Sequence, residues 1–224
     1  MNTWDKFANE DAEYYILSDK TIDYSTEEGQ QFFYSSGREL TETLLARAAP
    51  YLTSRKAALE IGCGIGRLSL PHARSFEKIS AVDVSPTMLE KLKANAVRNG
   101  LTNVSGFLPH EKWDDQRYDY VYSFIVFQHI SDYGIIRDYI RRISGAMNKG
   151  AIAQLQFDTR PAILSYRIRN IIPDFLLPRD QKKAIRRIRR KSEELRGLFA
   201  ENNLDIITEV GPDDENHTFL LRKR

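Results

Sequence analysis

The chain of 224 residues has little cysteine, no long apolar run and almost no net charge. Its single cysteine excludes an internal disulfide and offers no cysteine cluster for a metal ion. Its apolar runs fall well short of the roughly 20 residues that a membrane-spanning helix needs. The N-terminal residues lack the basic-then-apolar order of a secretory signal, so we expect a cytoplasmic protein without a membrane span.

The charges are nearly balanced, with 33 basic and 31 acidic residues and a net charge of +2. This balance gives no overall attraction to nucleic acid. The exception is a basic segment at residues 179–191, which could bind RNA phosphates, an anionic lipid surface or a nucleotide-linked substrate. Apolar residues recur at helical spacing along it and beyond it, at Ile185, Ile188, Leu195 and Leu198. We therefore favour a helix over about 180–201 that packs on a sheet and turns a solvated basic face outward.

From residue 57 onward, strand-like apolar runs alternate with helical patterns. The predicted strands cover 57–61, 78–83, 103–107, 118–126, 151–157, 204–210 and 217–221. Repeated β-α-β order predicts an α/β fold: a doubly wound, Rossmann-like, mostly parallel seven-stranded sheet. The last two strands are joined only by the short link Gly211-Pro212-Asp213-Asp214, so we expect the final strand to be antiparallel.

We expect one domain over 1–224, with three parts. Residues 1–50 are predicted to form an N-terminal helical cap, with short aromatic-rich helices over 1–37 and a helix over 38–50. Residues 51–160 form the half that faces the sheet's ligand-binding edge, and 161–224 form a substrate-side half with a lid insertion and the basic helix. The insertion at 160–178 is apolar and aromatic, which fits either a roof over a site or the simple burial of an extra helix.

A glycine turn follows the first predicted strand. Its three glycines occupy alternating positions: Gly62, Gly64 and Gly66. Bare backbone at such a turn allows a ligand to approach closely. Arg67 stands where the dinucleotide fingerprint needs its third glycine, and Glu60 would repel a pyrophosphate but suits a cation. Asp83 ends the second strand at the same sheet edge, so we predict a nucleoside pocket there.

Three motifs resemble those of the class I S-adenosylmethionine-dependent methyltransferases. Residues 59–67 resemble the family's first motif, and residues 81–89 resemble its second strand end. Residues 118–123, with 128–130, resemble its fourth strand and the loop that follows. The resemblance covers about residues 38–160 and implies a methyltransferase that uses S-adenosyl-L-methionine and releases S-adenosyl-L-homocysteine.

The resemblance also implies which residues contact the cofactor. The methionine part would lie against Glu60 and the glycine turn, and the ribose against Asp83. The adenine would lie between Val84 and Met88, and the sulfonium beside Ser123 and Phe124. The acid that such families often place after the third strand is missing, so backbone groups near Leu108 are expected to serve the adenine amine. The full implied set is Glu60, Gly62, Cys63, Gly64, Gly66, Asp83, Val84, Met88, Leu108, Ser123 and Phe124.

Two residues are candidates for a catalytic base. His129 follows the fourth strand, and a histidine with an ordinary pKa near ~6.5 suits proton abstraction at neutral pH. His129 is equally able to order its loop or to contact the cofactor. Asp158 ends the strand at 151–157 and is the second candidate, although a turn with Thr159 and Arg160 is the favoured role. No metal site is expected.

The residues after the fourth strand bear on the acceptor. Enzymes that methylate exocyclic amines of nucleobases carry Asn or Asp, then Pro-Pro and an aromatic residue, where this chain has Ser123-Phe124-Ile125-Val126. Cytosine ring-carbon enzymes need a cysteine nucleophile, and Cys63 lies in the glycine turn. We therefore expect a small-molecule acceptor, methylated at oxygen. The alternatives are an RNA methyltransferase that uses residues 179–191 and a non-catalytic cofactor-binding module; the oligomeric state stays open.

Overall fold

The computed structural model describes residues 3–162, 166, 172–173, 176 and 186–224. Its strands are β1 (Ala57–Ile61), β2 (Lys78–Val82), β3 (Val104–Phe107), β4 (Tyr118–Ser123), β5 (Met147–Phe157), β6 (Leu204–Val210) and β7 (His217–Lys223). They form one seven-stranded sheet in the order β3-β2-β1-β4-β5-β7-β6. β7 pairs antiparallel with both β5 and β6, while β1 to β5 pair in parallel. The predicted sheet with its antiparallel last strand is confirmed.

Helices connect and cover these strands. They are α1 (Thr3–Leu17), α2 (Glu27–Ala48), α3 (Ser69–His72), α4 (Pro86–Arg98), α5 (Tyr133–Ala146) and α6 (Ser192–Glu201). Side-chain caps fix where three of them begin, because the oxygens of Thr26, Ser85 and Asp132 accept the backbone N–H of Gly29, Met88 and Gly134. None of the helices in the described part of the chain is long and apolar enough to cross a membrane.

The N-terminal region differs from the prediction. It consists of two long helices, of which α1 bends at Asp11, whose backbone is extended rather than helical. α2 begins at Glu27, eleven residues before the predicted start at 38. Gly37 therefore lies inside α2, where a Cβ would stand only 2.4 Å from the carbonyl oxygen of Arg67. The glycine lets α2 pack directly on the backbone that follows the glycine turn.

Two strand boundaries also differ from the prediction. β4 ends at Ser123 rather than at 126, because Ile125 has a φ of +58°, which strands do not adopt. β5 begins at Met147, directly after α5, rather than at 151. The pairing between β4 and β5 shifts in register at this point. Tyr118 pairs with Met147, but Tyr120, two residues later, pairs with Ile152.

The predicted helix over 180–201 is confirmed at residues 192–201 and wrong at residues 186–191. The helix α6 begins only at Ser192, and residues 186–191 are not helical. Their backbone bonds go elsewhere: the N–H of Ile188 donates to the carbonyl of Gln128 at 2.6 Å, and that of Arg190 to the carbonyl of Asp158 at 2.8 Å. Residues 179–185, and all of the insertion 160–178 except 160–162, 166, 172–173 and 176, lie outside the described residues.

Candidate active site

The glycine turn lies between β1 and α3 and has left-handed backbone at each glycine. The φ angles of Gly62, Gly64 and Gly66 are +77°, +52° and +96°. The N–H of Gly62 donates to the carbonyl of Val82 at 2.7 Å, which ties the turn to the end of β2. A Cβ at Gly62 would lie 2.2 Å from Cγ2 of Val126, in the loop after β4. The turn therefore joins three strand ends at one edge of the sheet, as the sequence predicted.

Asp83 is held in place by backbone donors. Its two carboxylate oxygens accept the N–H of Gly64 at 2.8 Å and the N–H of Ser85 at 2.9 Å. Burial raises the pKa of this carboxyl, and the bonds from Ser85 and Gly64 act in the opposite direction. A carboxylate offers about four acceptor positions, so Asp83 can still accept hydroxyl groups from the cavity that it lines.

Glu60 is buried beneath the turn. Its Oε2 atom accepts hydrogen bonds from Ser69 Oγ at 2.5 Å and from the Tyr122 hydroxyl at 3.1 Å. Burial raises the pKa of Glu60 to about 7, although these bonds and the charge of nearby Arg67 favour the ionised form. A cation placed against this buried carboxyl would favour its ionised form.

One cavity of about 900 Å³ opens above these residues. Eight of the predicted cofactor contacts line it: Glu60, Gly62, Cys63, Gly64, Asp83, Val84, Met88 and Phe124. The glycine turn thus meets the cavity at the place where the resemblance puts the methionine part of the cofactor.

The other three predicted contacts are not among the residues that line the cavity. Gly66 backs onto Leu92, since a Cβ there would lie 2.6 Å from Cδ1 of that residue. Ser123 is fully buried, and its hydroxyl donates to the carbonyl of Ile61 at 3.0 Å. The backbone N–H of Leu108 donates to Glu111 Oε2 at 2.5 Å, so this donor is already used.

Arg142 of α5 holds the segment that follows β3 at the cavity wall, a role that was not predicted from the sequence. Its guanidinium binds both oxygens of Asp114, at 2.8 and 3.0 Å, and donates to the carbonyl of Pro109 at 2.6 Å. It also lies 4.1 Å from the ring centre of Trp113. The available signal was its helical spacing, three residues after Tyr139, which also lines the cavity.

The N-terminal helix α1 closes the cavity from above. Trp4 and residues 14–18 line it, and the side chain of Ile16 covers the glycine turn, where a Cβ on Gly64 would lie 2.7 Å from Ile16 Cδ1. Asp5 anchors the helix by accepting hydrogen bonds from Ser85 Oγ at 2.8 Å and from the N–H of Thr87 at 3.1 Å. The cap thus contacts the same loop that holds Asp83.

The two candidate bases lie in different surroundings. His129 ends a short 3₁₀ turn, Phe127–His129, lines the cavity and meets the ring of Trp4 edge-on at 5.5 Å. Asp158 is fully buried, lies outside the cavity lining and binds the guanidinium of Arg160 through both oxygens, at 2.5 and 3.1 Å. Of the two candidates, His129 lines the cavity, whereas Asp158 holds Arg160.

Comparison with known proteins supports the resemblance. Residues 58–150 match the model of a family described as a methyltransferase domain. Over 96 residues the chain is 29% identical to the 23S rRNA (uracil(1939)-C(5))-methyltransferase RlmD of Shewanella sediminis, a match that covers 42% of this chain and 21% of that protein. The chain thus spans about a fifth of the length of the curated relatives that it matches.

Solved structures share the whole architecture. An S-adenosylmethionine-dependent methyltransferase from Clostridium acetobutylicum superposes with a TM-score of 0.65 and 15% identity, over 99% of both chains. Magnesium protoporphyrin IX methyltransferase from Synechocystis, crystallised with bound SAH, gives a TM-score of 0.64 and 16% identity over 98% of both chains. They confirm the predicted Rossmann-like fold, and the family match supports the resemblance drawn from the motifs.

Proposed function

We propose that this chain is a class I S-adenosylmethionine-dependent methyltransferase that transfers a methyl group to an oxygen atom of a small-molecule acceptor. The observation that carries the proposal is that one cavity of about 900 Å³ is lined by both Asp83 and His129. Its volume is at the upper end of the range of small-molecule sites, which suits a cofactor and an acceptor bound side by side. Aromatic residues of α1 cover it, which favours a compact acceptor.

The residues of the cofactor end fit S-adenosylmethionine. When bound, the cofactor supplies an electrophilic methyl group on a positively charged sulfur. Glu60 would face the cationic methionine part, and Asp83 would accept ribose hydroxyls with the acceptor positions that Gly64 and Ser85 leave open. Val126 and Ile16 pack against the bare Cα atoms of Gly62 and Gly64, so the turn leaves no room for side chains there.

His129 would act as the general base toward a hydroxyl acceptor. Its ring would take the hydroxyl proton while the acceptor oxygen bonds to the methyl carbon, and the electron pair of the broken carbon–sulfur bond would stay on sulfur. His129 would then release the proton to water. The contact with Trp4 fixes one edge of the imidazole at the cavity wall.

An RNA acceptor is the second candidate, because the curated relatives named above methylate 23S rRNA at a uracil ring carbon. Methylation of a pyrimidine ring carbon calls for a cysteine nucleophile, and Cys63 is the chain's single cysteine. It is buried in the glycine turn, and burial raises its pKa, which disfavours the thiolate. These features favour the small-molecule acceptor.

Calorimetric titration with S-adenosylhomocysteine tests the cofactor assignment. We expect tight binding to the unaltered protein and a loss of at least about 30-fold in Asp83→Ala, since a carboxylate accepting hydroxyl groups in a buried site is removed. Asp205→Ala is the matched control, because Asp205 is exposed and pairs with Arg224 at 2.7 Å. Unchanged affinity in Asp83→Ala would refute the cofactor assignment.

Turnover tests the acceptor class. We expect methyl release with members of a panel of phenols, sugars, acids and amines, and a loss of kcat of about 100-fold or more in His129→Ala with a hydroxyl acceptor. Full activity of the His129→Ala variant would show that His129 is not the general base. Methylation of an RNA transcript and of no small molecule would favour the second candidate, and cofactor binding without any turnover would favour a non-catalytic module.

A further inference from the structure

Arginine dominates one wall of the cavity. Four arginines line this wall, which is built from the end of β5 and the extended residues before α6: Arg160, Arg186, Arg187 and Arg189. The carboxylates that line the described part of the cavity lie elsewhere, with Glu60 and Asp83 at the cofactor end and Asp138 on α5. These arginines are therefore the charged side chains that line this end of the described cavity, and we call the four residues the arginine wall.

Ion pairs and a hydrogen bond hold Arg160 and Arg187 in place. Arg160 lies between Asp158, at 2.5 Å, and Glu215, at 3.0 Å. Arg187 pairs with the same Glu215 at 3.6 Å and donates to Asn216 Oδ1 at 3.2 Å. Asp158 directly follows β5, and Glu215 and Asn216 lie in the link before β7, so the two guanidinium groups are held between these two segments.

Arg189 retains donors that the described residues do not use. Its guanidinium lies 4.5 Å from the ring centre of Tyr166, and its Nη1 donates to the carbonyl of Pro161 at 2.5 Å. Its backbone N–H donates to the Tyr166 hydroxyl at 3.0 Å, which holds the two residues together. The Nε atom is buried and has no hydrogen-bond partner among the described residues. A buried donor left in this state is costly unless something binds to it.

The arginine wall lies beside the candidate base. Ile188, between Arg187 and Arg189, donates its backbone N–H to the carbonyl of Gln128 at 2.6 Å. Gln128 directly precedes His129, so the two segments run next to each other at the cavity. An acceptor group bound by these arginines would lie close to His129.

We propose that the acceptor carries an anionic group, a carboxylate or a phosphate, that Arg187 and Arg189 bind while its hydroxyl faces His129. This inference rests on the proposed function and names its substrate class. The planar fork of a guanidinium matches both anions, with two parallel hydrogen bonds. Because these arginines are half-buried and line a cavity, rather than standing on an outer face, the anion belongs to a small molecule and not to an RNA backbone.

The test uses paired probes on protein saturated with S-adenosylhomocysteine. Hydroxybenzoates and hydroxyphenyl phosphates are each titrated against their neutral methyl esters by calorimetry. We expect at least one acid to bind about tenfold or more tightly than its ester, as a charge-assisted hydrogen-bond pair gives. The two sets of probes distinguish a carboxylate from a phosphate. Arg187→Gln and Arg189→Gln should abolish that preference, and Arg187→Lys should restore only part of it.

Lys191→Gln is the matched control, since Lys191 follows the arginine wall in sequence but its side chain is 78% exposed. It should leave the preference unchanged. Equal affinity of every acid and its ester would overturn the inference. RNA binding should be measured on the same variants, and RNA binding that weakens equally in Lys191→Gln and in the arginine variants would also overturn it. Each variant should still bind S-adenosylhomocysteine, which shows that it folds. If S-adenosylhomocysteine binds but no acid is preferred over its ester, the inference about the acceptor fails while the cofactor assignment stands.

Discussion

Asp5 of α1 accepts a hydrogen bond from the hydroxyl of Ser85 across 2.8 Å, and the backbone N–H of Ser85 in turn donates to Asp83. The bonds from Ser85 and Thr87 hold the pKa of Asp5 below its usual value. The first helix of the chain is therefore fastened to the residue that neighbours the expected ribose contact. The cap and the cofactor end form one unit, although 80 residues separate Asp5 from Ser85.

Removing this anchor should weaken cofactor binding without removing any cofactor contact. In Asp5→Ala we expect the affinity for S-adenosylhomocysteine to fall about three- to tenfold, because the bonds to Ser85 and Thr87 are lost. Backbone amides of α1 should also exchange hydrogen faster. Asp19→Ala is the control, since the carboxylate of Asp19 accepts hydrogen bonds from nearby Thr21. Equal exchange rates in both variants would show that Asp5 is not the anchor.

The contact between Gly62 and Val126 makes a second prediction. Gly62→Ala should lower the free energy of unfolding by about 1–2 kcal/mol for its left-handed backbone. A further loss should come from the overlap with Val126, which a Cβ would approach to 2.2 Å. Urea unfolding measures the total.

Gly100→Ala separates the two effects. Gly100 has a φ of +67°, close to the +77° of Gly62, but no atom lies within 4 Å of the position of its Cβ. The difference between the two alanine variants therefore measures the overlap alone. Adding Val126→Ala to Gly62→Ala should recover part of that difference; no recovery would contradict the predicted contact.

The raised pKa of Glu60 predicts that the free energy of unfolding depends on pH. Its pKa is about 7 in the folded protein and ordinary in the unfolded chain, so folding takes up a proton between these values. The resulting stability is present below the unfolded pKa, near ~4.5, and is lost as the pH rises through about 7. Without cofactor, the free energy of unfolding should fall by an amount on the order of 3 kcal/mol between pH 5 and pH 8, and Glu60→Gln should flatten this dependence.

Cofactor binding should show the opposite trend. A cation against Glu60 favours the ionised carboxylate, so the affinity for S-adenosylmethionine should rise up to about tenfold as the pH increases through 7. The same titration on Glu60→Gln should show no rise. A rise that persists in the variant would assign the titration to another group.

Arg142 gives the fourth prediction. Arg142→Lys keeps the charge but loses the fork that binds both oxygens of Asp114 and the stacking on Trp113. We expect cofactor affinity to fall about fivefold or more, because the loop after β3 loses its fixed position. Arg141→Lys is the neighbouring control, as its side chain is 69% exposed. The control should bind S-adenosylhomocysteine like the unaltered protein, and an equal loss in both would contradict the role.

The sequence was sufficient for the parts of the fold that depend on local patterns. The order of strands and helices follows from apolar periodicity, and Gly62, Gly64 and Asp83 are adjacent to strand ends that any parallel sheet brings together. The antiparallel β7 follows from a link too short for a crossover. These features need no knowledge of distant contacts.

The sequence was insufficient where distant partners decide the outcome. Residues 186–191 carry helical periodicity, yet their backbone donors go to Gln128 and Asp158, which overrides the local preference. The hydroxyl of Ser123 donates to the carbonyl of Ile61, a partner 62 residues away that local patterns do not indicate. Arg142 finds Asp114 only after folding, across 28 residues.

The side chain of Gln156 links the two ends of the cavity. Its Oε1 accepts the N–H of Ile125 at 2.7 Å, and its Nε2 donates to Asn216 Oδ1 at 2.6 Å. Ile125 has a φ of +58°, which a β-branched residue adopts only under constraint, and Asn216 also binds Arg187. One buried amide thus sets the spacing between the loop after β4 and the arginine wall. The length of the proposed acceptor that fits between His129 and Arg187 therefore depends on the position of Gln156.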